Sequence, residues 1–176
     1  MSDESLAKEA KIPVVVLQAI RKNESGGNAS AVRFEPHVFL RITGNGKREN
    51  SPFKDKIPFT RDPVRKISLI KKETDRAAFE NATKFDKDAA IRSTSWGLYQ
   101  IMGVHLLKLF TDCPIEHFDN DSINVSDRLL VSWFKSNPKA AKAAREFDIA
   151  ELARRYNGSE RWGIRVAEAI KKLKGE

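Results

Sequence analysis

Cysteine is almost absent from this chain: Cys113 stands alone. A single cysteine excludes an intramolecular disulfide framework and a cysteine metal cluster, and it reads as a small semi-buried side chain rather than a reactive thiol. Histidine is scarce too. His37, His105 and His117 show no metal-ligand spacing, so no metal and no cofactor is expected. Long hydrophobic runs are also missing. No apolar stretch approaches the roughly 20 residues that span a bilayer. Val14-Val15-Val16-Leu17 is too short for the core of a secretory signal, and Met1-Ser2-Asp3-Glu4 is acidic where a signal would be basic. Synthesis in the cytoplasm without a signal peptide is therefore expected, with some other route of delivery if the protein acts outside.

What is present is enough for a folded interior. The 176 residues favour one domain with one core, spanning 1–176, and a hydrophobic share of 40% argues against wholesale disorder. The net charge is +8. Such a surface attracts polyanions. Nucleic acid, anionic lipid and the anionic bacterial envelope all qualify, and the sign alone does not choose among them.

Helical patterning dominates. Leu6 to Lys11 reads as a short helix with Ser5 as N-cap. Pro13 suits the first turn of the next helix, which Gly26-Gly27 stops. Phe34 to Ile42 reads as a short helical segment. Residues 43–63 hold Gly44, Asn45-Gly46, Pro52, Pro58 and Pro63, and read as a small irregular or hairpin lobe. Val64 to Ile91 reads as mostly helical, with a break near Asn81. A helix is expected to start at Ser95, and others over Val104–Phe110 and Ile123–Phe134. Pro114 and Pro138 mark the starts of short turns of helix. Asp148 caps a helix that ends at Asn157-Gly158, and Trp162 to Lys174 forms a basic amphipathic helix. The fold class is therefore mainly α, α+β at most.

Three segments carry candidate chemistry. In Asn23-Glu24-Ser25-Gly26-Gly27-Asn28, a carboxyl sits where a helix ends, and the glycines let a bulky ligand approach. A helix C-terminus carries partial negative charge and disfavours a carboxylate nearby, as a proton donor in glycoside cleavage requires. The same residue also reads as an ordinary Glu before a glycine cap. Glu35, between Phe34 and Pro36, reads either as a second catalytic carboxylate or as a structural partner for Arg33 or Arg41. Ser95-Trp96-Gly97-Leu98-Tyr99-Gln100-Ile101-Met102-Gly103 places Gln100 three residues after Gly97. Its amide suits a sugar hydroxyl or N-acetyl group, or else a backbone partner. Tyr156 and Asn157, at a helix end, offer a ring for stacking and an amide, or else core packing and a cap.

Taken together, Glu24-Ser25-Gly26-Gly27, Phe34-Glu35-Pro36-His37-Val38-Phe39, the segment Ser95 to Gly103 and Ala153-Arg154-Arg155-Tyr156-Asn157-Gly158 resemble the phage and bacterial N-acetylmuramidase family, which is lysozyme-like. More loosely, the same pattern looks like soluble lytic transglycosylases and goose-type lysozymes. The resemblance implies a lysozyme-like helical fold with Glu24 as catalytic acid. It also implies action on bacterial peptidoglycan, reached after a holin opens the membrane or from within a virion. On that basis Glu24 and Glu35 are the catalytic candidates, and Ser95, Gln100, Tyr156 and Asn157 the substrate-binding ones. A monomer is expected and no nucleic-acid partner.

Two rivals remain. A lytic transglycosylase would use one Glu as acid and then base. A helix-turn-helix DNA-binding protein would use Leu6 to Pro13 and the helix ending Arg21-Lys22, but it leaves the other motifs without a role. The C-terminal helix, with Arg161, Arg165, Lys171, Lys172 and Lys174, reads as a solvated face or as a surface drawn to the anionic envelope.

Overall fold

The computed structural model describes residues 1–44 and 75–176. The lobe expected over 43–63 therefore lies, from residue 45 onward, outside the described residues, as does the start of the helix expected from Val64. The chain divides into two compact units.

The first unit holds Met1–Ala31, Gly97–Ile101 and Leu109–Glu176. Helix α1 (Asp3–Ala10) is capped by Ser2, whose hydroxyl accepts from the Ser5 N–H, so the cap falls three residues before the one expected. Asp3 and Glu4 then occupy its first turn, where the helix dipole favours negative charge. Pro13 is the N-cap of α2 (Val14–Ser25) rather than its first residue, and Gly26 ends that helix at φ +63. Val16, Leu17, Ala19 and Ile20 give α2 one buried stripe at helical spacing.

The rest of the unit is a run of short helices, each with a local start signal. Pro114 opens α7 (Pro114–Asn120), and Cys113 just before it is exposed, not semi-buried, because it stands outside the helix. Asp121 caps α8 (Ser122–Ser136), Pro138 opens α9 (Pro138–Arg145), and Asp148 caps α10 (Ile149–Tyr156). The last helix, α11 (Glu160–Lys174), packs against α2 and α10, while α1 packs against α8. Leu17, Leu129, Leu130, Phe134, Trp162 and Val166 are buried here. Each such side chain contributes about 1.5–3 kcal/mol of burial free energy.

The second unit holds Val32–Trp96 and Met102–Lys108. Strand β1 (Val32–Phe34) pairs antiparallel with β2 (Thr94–Trp96), matching Val32 with Trp96, Arg33 with Ser95 and Phe34 with Thr94. With β3 (Ile101–Met102) the sheet order is β1-β2-β3. The helices are α3 (Pro36–Gly44), α4 (Asp75–Thr83), α5 (Lys87–Arg92) and α6 (Gly103–Leu109). The break expected near Asn81 falls instead at Lys84–Asp86, where the Asp86 carboxylate accepts from the Ala89 N–H and caps α5. Trp96 is fully buried, edge-on to Phe79 at 5.1 Å.

Two expectations need correction. Phe34 belongs to a strand, and the helix begins only at Pro36. Ser95 does not start a helix: it sits mid-strand in β2, and the following residues form a tight turn. Gly97 has φ +72 and Gln100 φ +49, both left-handed, which breaks the helical reading of Leu98, Ile101 and Met102.

The turn is fitted closely. A Cβ on Gly97 would lie 1.9 Å from the Ser126 Oγ. That same oxygen accepts from the Leu98 N–H at 3.1 Å and donates to the Ser122 carbonyl at 2.5 Å. Gly97→Ala therefore combines overpacking with a strained φ and should cost about 2–4 kcal/mol. Gly27 also has a positive φ, but nothing lies within 4 Å of its Cβ position, so Gly27→Ala should cost only about 1–2 kcal/mol. Urea denaturation of the two variants measures the difference; equal losses would remove the close approach as the reason for glycine at 97.

Candidate active site

The end of α2 and the turn after β2 are stitched together by Ser25. Its hydroxyl donates to the Leu98 carbonyl at 2.9 Å and accepts from the Gly27 N–H at 3.1 Å. The two most distinctive sequence segments, more than 70 residues apart, thus meet directly. One residue before Ser25, the half-buried Glu24 accepts a hydrogen bond at its Oε1 from Trp162 Nε1, at 2.5 Å. Trp162 lies near the start of α11 and is buried.

A wall of aromatic rings backs this bond. Tyr156, the last residue of α10, stacks on Trp162 with centroids 5.1 Å apart and planes at 16°. Trp133 meets Tyr156 at 4.6 Å and 61°. The Tyr156 ring is partly exposed while its hydroxyl turns inward, donating to the Tyr99 carbonyl at 2.6 Å. Burial, and then the Glu24 charge, push the Tyr156 hydroxyl well above its ordinary range, so it stays a donor.

Behind the wall, the buried Tyr99 hydroxyl accepts from Arg21 Nη2 at 2.9 Å and Nε at 3.2 Å. Arg21 is ion-paired with Asp3, which also accepts from Gln18 Nε2 at 2.9 Å. Burial pushes the Tyr99 hydroxyl up to about 12, against a smaller opposing effect of Arg21.

Gln100 is spent on the backbone, donating to the Gly97 carbonyl at 3.0 Å and the Ala31 carbonyl at 3.3 Å. Asn157 is exposed at the C-cap of α10. So the first unit gathers Glu24, Gln100, Tyr156 and Asn157. The second unit holds the other two candidates. Ser95 is buried in β2, its hydroxyl donating to the Met102 sulfur at 3.2 Å. Glu35 stands just before α3; its N–H donates to the Ser93 carbonyl, and its carboxylate pairs with Arg33 Nε at 3.1 Å and faces His37 Nδ1 at 3.6 Å. Of the two readings left open for Glu35, the contact with Arg33 is the one the structure displays.

Trp162, Tyr99 and Arg21 escaped the sequence reading as parts of this site. Only Trp162 left a trace, as a tryptophan four residues beyond the Tyr156-Asn157-Gly158 helix end.

A family model described as muramidase, N-acetylmuramidase, matches residues 13–173. The chain belongs to the N-acetylmuramidase family. It is accordingly a glycoside hydrolase of the peptidoglycan-degrading, muramidase type. Among solved structures, the chain is similar to the crystal structure of Burkholderia AP3 phage endolysin, at 18% identity and a TM-score of 0.68, covering 100% of this chain and 72% of that one. That likeness is one of fold: mainly helical, with a small sheet. No curated protein matches the chain.

The buried Tyr99 generates a test of this family member's stability. Its hydroxyl holds its proton more tightly folded than unfolded. The resulting stabilisation is complete below the ordinary value of 10.0 and is lost as pH rises toward about 12. The loss amounts to about 3 kcal/mol over that window. Tyr99→Phe should start less stable, through its lost bonds to Arg21, but fall less steeply between those pH values. Parallel slopes in denaturation at alkaline pH would contradict the assignment.

Proposed function

We propose that this muramidase hydrolyses the β-1,4 bond between N-acetylmuramic acid and N-acetylglucosamine, with Glu24 as general acid. The observation that carries the reading is the placement of Glu24: half-buried, at the C-terminal end of α2, oriented by the Trp162 N–H against an aromatic wall. The negative end of the helix dipole opposes ionisation there, as proton donation requires. In the reaction, the proton passes from Glu24 to the glycosidic oxygen. The C1–O bond breaks with its electron pair going to that oxygen, water supplies the hydroxyl that ends on C1, and the water's other proton passes through solvent to restore the Glu24 carboxyl.

Glu35 serves as electrostatic support rather than as base for water, since its carboxylate is already engaged by Arg33. Asn157 offers an exposed amide to the sugar, and Tyr156 forms the wall beneath it. Gln100 and Ser95 act indirectly, by holding the turn and β2 in shape. The chain works as a monomer and as one domain over 1–176, with peptidoglycan rather than nucleic acid as its partner. It is made in the cytoplasm and meets the wall after holin-type release or from a virion, a route supported by the likeness to a phage endolysin.

The engagement of Glu35 by Arg33 also favours a second reading. Glu24 would then act alone, first as acid and then as base, with the muramyl 6-hydroxyl attacking C1 in place of water. Mass spectrometry of purified peptidoglycan digested with wild type and with Glu24→Gln separates these. Reducing muramic acid ends, lost in the variant, are expected. Ends in 1,6-anhydro-muramic acid would establish the transglycosylase reading. Wild-type release of fragments by Glu24→Gln would remove Glu24 from the chemistry.

The anionic envelope is the second proposed partner. Lys171, Lys172 and Lys174 are exposed at the end of α11 beside the exposed Leu173, and Lys174 Nζ sits 4.4 Å over the exposed Phe147 ring. Replacing the three lysines by glutamine should weaken sedimentation with anionic lipid vesicles at low salt while leaving digestion of isolated peptidoglycan unchanged. Undiminished sedimentation would end this part of the proposal.

A further inference from the structure

We infer that Trp162 is a positioning residue for Glu24: its indole N–H holds Oε1 and with it the rotamer in which the acid meets the glycosidic oxygen. The inference rests on the reading of Glu24 as the general acid. A carboxylic acid has two oxygens and one proton to deliver. An indole nitrogen donates and never accepts. With Trp162 Nε1 donating to Oε1 at 2.5 Å, that oxygen is held as an acceptor toward the indole. The same bond fixes the side-chain rotamer.

The bond also strengthens during the reaction. As the proton moves from Glu24 to the glycosidic oxygen, Glu24 becomes a carboxylate, and a neutral donor–acceptor pair becomes a charge-assisted one. An interaction that grows toward the transition state lowers the barrier, whereas one present equally throughout does not.

Trp162 can do this because it cannot swing away. It is 1% exposed. Its ring is clamped by Tyr156, which is held in turn by Trp133 and by the bond to the Tyr99 carbonyl. The next residue, Gly163, lets α11 approach α10: a Cβ there would lie 3.0 Å from the Ala153 Cβ. Among the described residues, ionisable groups near the pair include Tyr156 on α10, Tyr99 on the turn, Arg21 on α2 itself and Arg165 on α11, which donates to Asn23 Oδ1 at 2.8 Å. Burial holds both tyrosines above their ordinary range. A titration sensed by the indole in acidic or neutral solution is assigned to Glu24 by its loss in Glu24→Gln.

The test uses the full chain with 15N-labelled tryptophan, which gives three indole signals. The Trp162 signal is assigned through its proximity to the Tyr156 ring. It should shift with a single titration between about pH 3 and 8 in the wild type and lose that shift in Glu24→Gln. Alongside this, Trp162→Phe keeps a ring against Tyr156 but removes the donor. Its kcat should fall about ten- to hundredfold with little change in KM. The alkaline limb of its pH–rate profile should move to higher pH, because a lost donor makes the carboxyl harder to ionise. A merely structural role would lower the active fraction without moving that limb. A flat indole signal in the wild type overturns the inference, and so does a Trp162→Phe profile with an unmoved limb. If that variant does not fold, the indole titration still decides. Full lysis by Glu24→Gln would instead defeat the underlying reading of Glu24, a result distinguishable from a failure at Trp162.

Discussion

The turn from Gly97 to Gln100 is the constraint on which the first unit depends. It is a short segment with two left-handed residues, and several independent contacts hold it. The Ser126 hydroxyl receives the Leu98 N–H, the Ala31 carbonyl receives the Gly97 N–H, and the Gln100 amide closes on the Gly97 carbonyl. What the turn exports is two carbonyls and a phenol. The Leu98 carbonyl takes Ser25, the Tyr99 carbonyl takes Tyr156, and the Tyr99 hydroxyl takes Arg21. The end of α2, the end of α10 and the middle of α2 are thereby tied to one backbone segment. Displacing the turn would free the aromatic wall and the helix end that carries Glu24 together.

This arrangement places the polar residues behind the wall rather than on it. Arg21, Asp3 and Gln18 form a hydrogen-bonded group beside Tyr99. Its members are part-buried, so removing one partner leaves the others within reach of water and costs less than the full penalty for a buried unsatisfied group. The group still braces the Tyr99 hydroxyl. It also explains why α1, far from the motif residues in sequence, matters to the site: Asp3 belongs to its first turn.

How much of this was legible in the sequence follows the range of the contacts involved. Local signals read well. Gly26 as a helix stop, Pro114 and Pro138 as helix starts and Asp148 as a cap each depend on residues within one turn. The strand at Ser95 was illegible because its partner, Arg33, lies about 60 residues away, and because all three β2 residues are buried, which erases the alternation that marks a half-exposed strand. The spacing of Leu98, Ile101 and Met102 mimicked a helix, and the positive φ values at Gly97 and at Gln100, a residue type that rarely adopts one, break the pattern. Glu24 and Tyr156 were legible as candidates through their motifs. Trp162 was not, since its role comes from a single bond to a residue 138 positions earlier. Nor could the sequence tell that the Gln100 amide is spent on the backbone rather than left for a ligand.

A proton donor in a glycosidase must neither ionise too readily nor hold its proton too tightly. At Glu24 the helix end and partial burial oppose the carboxylate, and the Trp162 N–H supports it. The position of Tyr156 is informative in this light. Its ring covers the indole that touches Glu24, yet its hydroxyl is committed to the Tyr99 carbonyl. Had that hydroxyl turned to Glu24, it would have donated there beside Trp162 and favoured the charged form further. The tyrosine instead supplies rigidity and an apolar surface without adding a donor. Anchoring its hydroxyl to the turn separates the task of holding the proposed acid in place from that of setting its readiness to give up a proton.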